Sequence, residues 1–377
     1  MPGLYTYQPG KAFYTILFLL RLLLLFPWLL FLFLFPSQRP DSDWSYRQAL
    51  GRTVVYYASQ YAATIELKPP FSLNPGKEKG RFGIVAPLSS CFYRDILNCD
   101  PEIKPTTIGA VWYPEPLTHS SQHHPGRRIF MHLHGGAYIL GGGRNADAEF
   151  STSLLVRYSP GCKVFCPEYR LASFPGGRFP AALQDAVTAY AYLVHELNIP
   201  PSDVILSGDS AGANLALALL RYINNHEDIL PAPAAILLWS PWTDMTGEVE
   251  DAAKRPAAKV DHVVPELISW AYREFLPGAD TKVSRDNPYI SANKGAPLAT
   301  IPMWVQWGSN EVLVQENETF IRLQASGNEQ EDKRRLRTHV IQHAPHDVFT
   351  LAPFLGWKKE AAVAAEDAIR FLDGTKL

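Results

Sequence analysis

The pentapeptide Gly208-Asp209-Ser210-Ala211-Gly212 places a serine between small residues in a G-x-S-x-G spacing. An apolar-rich segment, 203–208, precedes it, and an Ala/Leu-rich segment, 211–224, follows. A serine at a sharp strand-to-helix turn presents its hydroxyl outward, and small neighbours let the chain make that turn. The start of the following helix favours negative charge beside it. Such a serine can attack an acyl carbon. A second stretch, 131–138, reads M-H-L-H-G-G-A-Y. The N–H groups of Gly135 and Gly136 are unshielded by side chains. With the N–H of Ala211 they are the candidate oxyanion hole. His132 and His134 stand two apart, as a metal pair would, but no third ligand sits at a fixed spacing, so no metal is expected. His119, His123 and His124 lie in a polar stretch and read as solvated. Gly141-Gly142-Gly143 lacks the pattern of a phosphate cradle. No cofactor is expected.

These groups meet only if strands deliver them to one edge of a sheet. Strands are predicted at 107–113, 129–134, 163–169, 203–208, 234–240, 303–308 and 336–342. Helices are predicted at 181–197, 211–224, 314–326 and 359–372. Strand and helix alternate, which implies a mainly parallel sheet covered on both faces. A strand–serine turn–helix context is what an α/β-hydrolase fold would supply, and in that fold the triad runs in the order serine, acid, histidine. The acid belongs just after a late strand, and Glu311 follows the one at 303–308. A carboxylate there holds an imidazole in the right tautomer. Three histidines follow: His339, His343 and His346. His346, in a loop before the last helical region, is chosen as base, with His343 as fallback. Asp209 and Asp347 each adjoin a triad member and are expected to point away from it. Segments 41–105 and 245–295, with a helix at 265–275, interrupt the rhythm and read as caps that set substrate size. The catalytic domain is expected over 106–377.

The chain has 377 residues, 47% apolar and 19% charged, which supports a large core. A net charge of -2 argues against a nucleic-acid binder, and four cysteines exclude a disulfide scaffold. Residues 1–40 read as a membrane anchor. Their apolar run, 13–35, is about 35 Å long as a helix, enough to cross a hydrocarbon core of about 30 Å. Arg21 is expensive at mid-depth, and Pro27 can kink the helix. The run is too long for a signal peptide and is not followed by a small-x-small cleavage site. A single-pass protein of the endoplasmic reticulum is expected, with the side of the catalytic domain open. The sequon Asn317-Glu318-Thr319 would be glycosylated, and Cys91 and Cys99 paired, only on the lumenal side. Cys162 and Cys166 read as small apolar groups.

The chain resembles the hormone-sensitive-lipase-like group of α/β hydrolases, the HGG esterases. The resemblance covers roughly 105–372. It rests on His132-x-His134-Gly135-Gly136-Ala137 and Gly208-Asp209-Ser210-Ala211-Gly212. Tyr169-Arg170-Leu171-Ala172, the run from Phe179 to Asp185, and Ser240-Pro241-Trp242-Thr243-Asp244 reinforce it. Glu168, Ser173 and Glu311 depart from the residues commoner in that group. With its anchor the chain also looks like membrane-bound fungal deacetylases and tailoring hydrolases. The resemblance implies a serine hydrolase of carboxylic esters on a small apolar substrate, through Ser210, His346, Glu311 and the glycine pair. It leaves open a secondary-metabolite enzyme acting on an ester, lactone or epoxide, and an amidase or formamidase. A non-enzymatic binding protein would be expected to have lost these residues.

Overall fold

The computed structural model describes residues 3–117, 127–278, 281–298, 300–326 and 335–375. His119, His123 and His124 lie outside them. Eight strands form one sheet: β1 (Phe82–Val85), β2 (Ile108–Tyr113), β3 (Ile129–Leu133), β4 (Lys163–Glu168), β5 (Val204–Asp209), β6 (Ala235–Trp239), β7 (Met303–Gly308) and β8 (Leu336–Ile341). Their order is β1-β2-β4-β3-β5-β6-β7-β8. β2 runs antiparallel to β1 and β4, and all other pairings are parallel.

The helices are α1 (Gly10–Leu32) and α2 (Tyr46–Thr64) before the sheet, α3 (Asn145–Tyr158), α4 (Ala181–Ala191), α5 (Ala211–Asn225), α6 (Val249–Lys254), α7 (Pro265–Phe275) and α8 (Val314–Ser326) between its strands, and α9 (Val348–Leu355) and α10 (Lys358–Gly374) after it. Strand alternation sorts the core into two layers. Met131, Leu206, Leu238 and Val305 face α4 and α5. Phe130, Ile205, Leu237 and Trp304 face α3, α9 and α10. Strands buried on both faces therefore carry near-continuous apolar runs, while the helices carry one apolar stripe. In α10 that stripe is Ala361, Ala364, Ala365, Ala368 and Leu372. The exposed edge strand β8 is the polar exception. Its Arg337 and His339 pair with Asp367 of α10, which blunts an edge open to further pairing.

β1 comes from within 41–105, so that segment contributes to the sheet as well as to the covering layer. The strand is four residues long, too short for a period to show. Helix α9 also had no separate signal, because its burial pattern merges with that of α10. α2, α7 and α9 pack together above the strand ends, with α2 touching both others. Pro265 at the first turn of α7 and the Ser45–Gln48 capping box of α2 fix where these covering helices begin.

The fold places the sequon asparagine and the two outer cysteines, whose fates the sequence left open. Asn317 is fully buried on α8, so its side chain is out of reach of a glycan in the folded chain. Cys91 and Cys99 are both free thiols. They sit on separate short turns, Ser90–Phe92 and the C-cap of Asp95–Asn98. Cys162 and Cys166 are buried and pack in the second core layer, as expected of small apolar groups.

Candidate active site

β5 ends at Asp209, and α5 starts at Ala211, so Ser210 alone makes the turn. Its backbone holds φ 52° and ψ −116°, a strained conformation for a residue with a side chain. Neighbours hold it there. Its N–H donates to the Trp239 carbonyl at 2.9 Å, and its own carbonyl accepts from Trp242 at 3.1 Å. Close packing under the turn demands glycine at 212, where a Cβ would collide with the Leu133 carbonyl.

The loop after β8 brings His346 over the serine. His346 Nε2 lies 2.8 Å from Ser210 Oγ, and Nδ1 lies 3.1 Å from Glu311 Oε2. A carboxylate at Nδ1 fixes that proton there, which leaves Nε2 to accept from the hydroxyl. Glu311 Oε1 accepts from the Ser240 hydroxyl at 2.5 Å and from Gly308 N–H at 2.6 Å. Both its oxygens are thus engaged. Burial lowers the pKa of His346, but the bond and charge of Glu311, with the charges of Asp261 and Asp209, outweigh that and leave it raised above 6.5. Burial raises the pKa of Glu311, and the facing imidazole opposes the shift. The fallback His343 is remote from this group. It is half exposed and bonds Asp41 at 3.0 Å.

The turn after β3 departs from expectation at one residue. Gly135 N–H donates to Asp209 Oδ2 at 2.9 Å and is therefore spoken for. The chain then turns through three positive φ values, at Gly136 (104°), Ala137 (55°) and Tyr138 (64°). The N–H groups of Gly136, Ala137 and Ala211 have no hydrogen-bond partner among the described residues. Gly136, Ala137 and Ala211 all belong to the serine pocket or adjoin it. Asp209 was expected to point away from the serine, and it does: it serves the glycine turn and His132.

Below the site lies a buried polar chain. Trp239 Nε1–H donates to Ser207 Oγ at 3.1 Å, Ser207 Oγ lies 3.0 Å from His132 Nδ1, and His132 Nε2 lies 3.3 Å from Asp209 Oδ1. His134 stacks on Tyr169 at 4.1 Å, and burial takes its pKa down to about 4. Asp347 bonds Asp209 side chain to side chain. Burial, then the charge of Asp209, raises its pKa well above the usual range, while the bonds to His132 and Asp347 hold Asp209 low against its burial. Within this pair the raised pKa falls on Asp347 and the lowered one on Asp209.

Asp261 was missed by sequence reasoning. It lies inside the 245–295 insertion and is fully buried. Its Oδ1 accepts from the N–H of His346 at 3.0 Å and of His262 at 2.7 Å, and its Oδ2 from Val312 N–H at 2.8 Å. One carboxylate therefore ties the base loop to the acid loop. Arg52 of α2 holds the Asp261 carbonyl in turn. A charged residue in an irregular, Ala/Lys-rich stretch gave no periodic signal.

The motif residues outside the triad brace this frame. Tyr169 donates to the His134 carbonyl at 2.6 Å, and Arg170 pairs with buried Asp185 at 2.8 Å. Glu168 accepts from Gly143 N–H and pairs with Arg144, and Ser173 donates to the Ile139 carbonyl at 2.7 Å. Both departures from the commoner residues are thus accommodated. Ser210 opens into a cavity of about 300 Å³, walled by Val55, Ile268, Leu313 and Phe354 among others. Apolar walls around a few convergent polar groups suit a small apolar ligand.

Residues 130–349 match the family model described as the alpha/beta hydrolase fold. An acetyl-hydrolase of Streptomyces hygroscopicus is 36% identical over 186 residues, 49% of this chain and 58% of that protein. An esterase of Acinetobacter venetianus is 30% identical over 229 residues, 59% of this chain and 68% of its own length. The crystal structure of a hormone-sensitive lipase from a metagenome library superposes with a TM-score of 0.54 at 22% identity, covering 85% of this chain and 91% of that one. The chain thus spans between about half and two thirds of the curated relatives it matches. On the family match, the sheet order and the serine turn, the chain belongs to the alpha/beta-hydrolase-fold family.

Proposed function

We propose that the protein is a serine hydrolase that cleaves carboxylic esters of small apolar substrates. The observation that carries this is the Ser210–His346–Glu311 relay, with contacts of 2.8 and 3.1 Å at the floor of an apolar cavity. In this reading Ser210 Oγ attacks the ester carbonyl as its proton passes to His346 Nε2. Glu311 stabilises the imidazolium. The tetrahedral oxyanion is held by N–H groups. Gly135 is occupied by Asp209, so the proposed donors are Gly136, Ala137 and Ala211. The oxyanion collapses as His346 gives its proton to the departing alcohol. Water then attacks the acyl-enzyme, with His346 again taking the proton, and the acid leaves.

The names of the relatives favour acetyl and other short acyl esters over a lactone, epoxide or amide. Gly10–Leu32 is long and apolar enough to cross a membrane, with a mean hydropathy of 2.4. We read it as the anchor that keeps the enzyme at a bilayer. The test is turnover of aryl esters of increasing acyl length by the wild type and by Ser210→Ala. The reading predicts hydrolysis of the short esters by the wild type and a loss of about 10⁵–10⁶-fold in the variant. Equal rates in both would refute it.

A further inference from the structure

Helix α1 is shielded along its whole length, and only on one side. The half-buried or buried positions recur at 14, 18, 22, 25, 29 and 32, a spacing of three and four residues. A helical stripe of that period is what one helix shows when it lies lengthwise on a surface. The surface is mainly α2. Tyr14 stacks on Tyr61 at 6.2 Å, Phe18 meets Tyr61 at 4.9 Å, and Phe26 meets Tyr57 at 6.5 Å. Thr15 Oγ1 lies 2.9 Å from Tyr61 Oη near one end, and Tyr46 donates to the Leu30 carbonyl at 3.0 Å near the other. Leu29 and Leu32 pack on the core layer that holds Trp44 and Leu355. A helix crossing a bilayer away from the catalytic body would be touched near its end alone.

The charge distribution agrees. Arg21 is the middle residue of Gly10–Leu32. In a spanning helix it would sit at the depth where a charge is most costly. Here its guanidinium lies 5.2 Å from the Tyr57 ring, at the seam with α2, where an in-plane helix keeps it level with headgroups. Residues 1–40 contain Lys11, Arg21 and Arg39 and no acidic side chain, a balance suited to anionic lipid.

The outward face carries Phe13, Leu17, Leu20, Leu24, Trp28 and Phe31, each roughly half exposed or more. A second copy is a poor cover for it. One helix stripe about 35 Å long and about 10 Å wide offers about 350 Å², against about 800 Å² per partner in a stable interface. Lipid needs no such minimum. The docking helix α2 also walls the serine cavity, through Val55 and Ser59. At the same mouth Phe354 of α9 is 63% exposed.

We infer that α1 lies in the plane of one leaflet of an anionic bilayer, with both its ends on the side of the catalytic domain. The cavity mouth beside α2 then takes its ester from the lipid. This second half rests on the esterase reading, while the placement of α1 does not.

The test uses the full chain on vesicles of phosphatidylcholine and phosphatidylserine, catalytic domain outward. Single thiols, Gly3→Cys or Ser37→Cys, are introduced in a background of Cys91→Ser and Cys99→Ser. Both thiols are expected to react with a membrane-impermeant maleimide before detergent is added. Reaction of Gly3→Cys only after detergent would mean a spanning helix and overturn the inference. So would an intact mass lacking the residues before 37. A second variant, Leu20→Glu with Leu24→Glu, probes the outward face. It is expected to lower turnover of a vesicle-dissolved ester at least about tenfold and to leave turnover of a water-soluble aryl ester unchanged. Equal turnover of both esters by this variant, or a dimer that it converts to a monomer, would overturn the lipid assignment. A wild type inactive on every ester would sink the esterase reading and leave the labelling result standing.

Discussion

In the proposed mechanism Ser210 is activated only while His346 is neutral, and the neighbours of that ring set the pH at which this holds. Its pKa is raised above 6.5, with Glu311 the main source of the increase over a burial effect of opposite sign. Activity should therefore fall as pH drops through a value above 6.5, measured as kcat/KM against pH. Glu311→Gln removes the raising charge and leaves burial to dominate. Its acid limb should move to lower pH, while turnover at neutral pH falls by about 10⁴-fold. An acid limb that stays in place would show that Glu311 does not set the titration. At Asp347 burial and the charge of Asp209 act in the same direction, and the consequence is one of stability. Its folded pKa lies well above the ordinary 3.8, so the folded chain keeps a proton that the unfolded chain has released. Stability should then fall as pH rises from about 4 toward that raised value. Asn at 347 still donates to Asp209, still caps α9 and suits the φ of 50° there. Asp347→Asn should flatten the alkaline decline in Tm; an unchanged slope would refute the raised pKa of Asp347.

At the scale of elements, the site depends on how three loops are pinned together. β5 and α5 define the serine turn without help from afar, which is why G-x-S-x-G between a strand and a helix was readable in the sequence. Strands β3, β4, β5, β6 and β7 were readable because, buried on both faces, they are near-continuous apolar runs. Glu311 and His346 followed from chain order and from loops placed after late strands. Ala137 and Asp261 did not. The role of a backbone N–H depends on where its neighbour's N–H is already bonded, and Gly135 is bonded to a carboxylate 74 residues away. Asp261 acts through one N–H group from each of two distant loops and that of its neighbour His262, a relation with no period or motif. Asp261→Asn replaces one acceptor oxygen by a donor facing N–H groups. It should cost about 1–3 kcal/mol of stability, read by denaturant unfolding. It should also lower kcat about tenfold with little change in KM, since the triad would be less well aligned. An unchanged kcat would remove Asp261 from the positioning role.

Across the whole molecule, the catalytic body and the apolar helix are one packed unit. The sequence made the helix plain through composition, but composition is blind to direction. Only the stripe of shielded residues facing Tyr57 and Tyr61 shows that α1 runs along the body. Helix α2, against which α1 packs, also borders the cavity, and the Arg52–Asp261 contact brings it to the loops that carry His346 and Glu311. The buried sequon at Asn317 and the free thiols at Cys91 and Cys99 illustrate a related point. A local pattern says what a residue type can do, and the fold decides whether it is within reach.

The proposed hydrolysis requires Ser210 to be an activated nucleophile. Labelling of the full chain with a fluorophosphonate, followed by mass mapping of the modified peptide, tests this. A single adduct on Ser210 is expected, formed with the wild type and lost, or slowed by orders of magnitude, in His346→Ala. An adduct on another residue, or labelling of Ser210 at the same rate without His346, would contradict it.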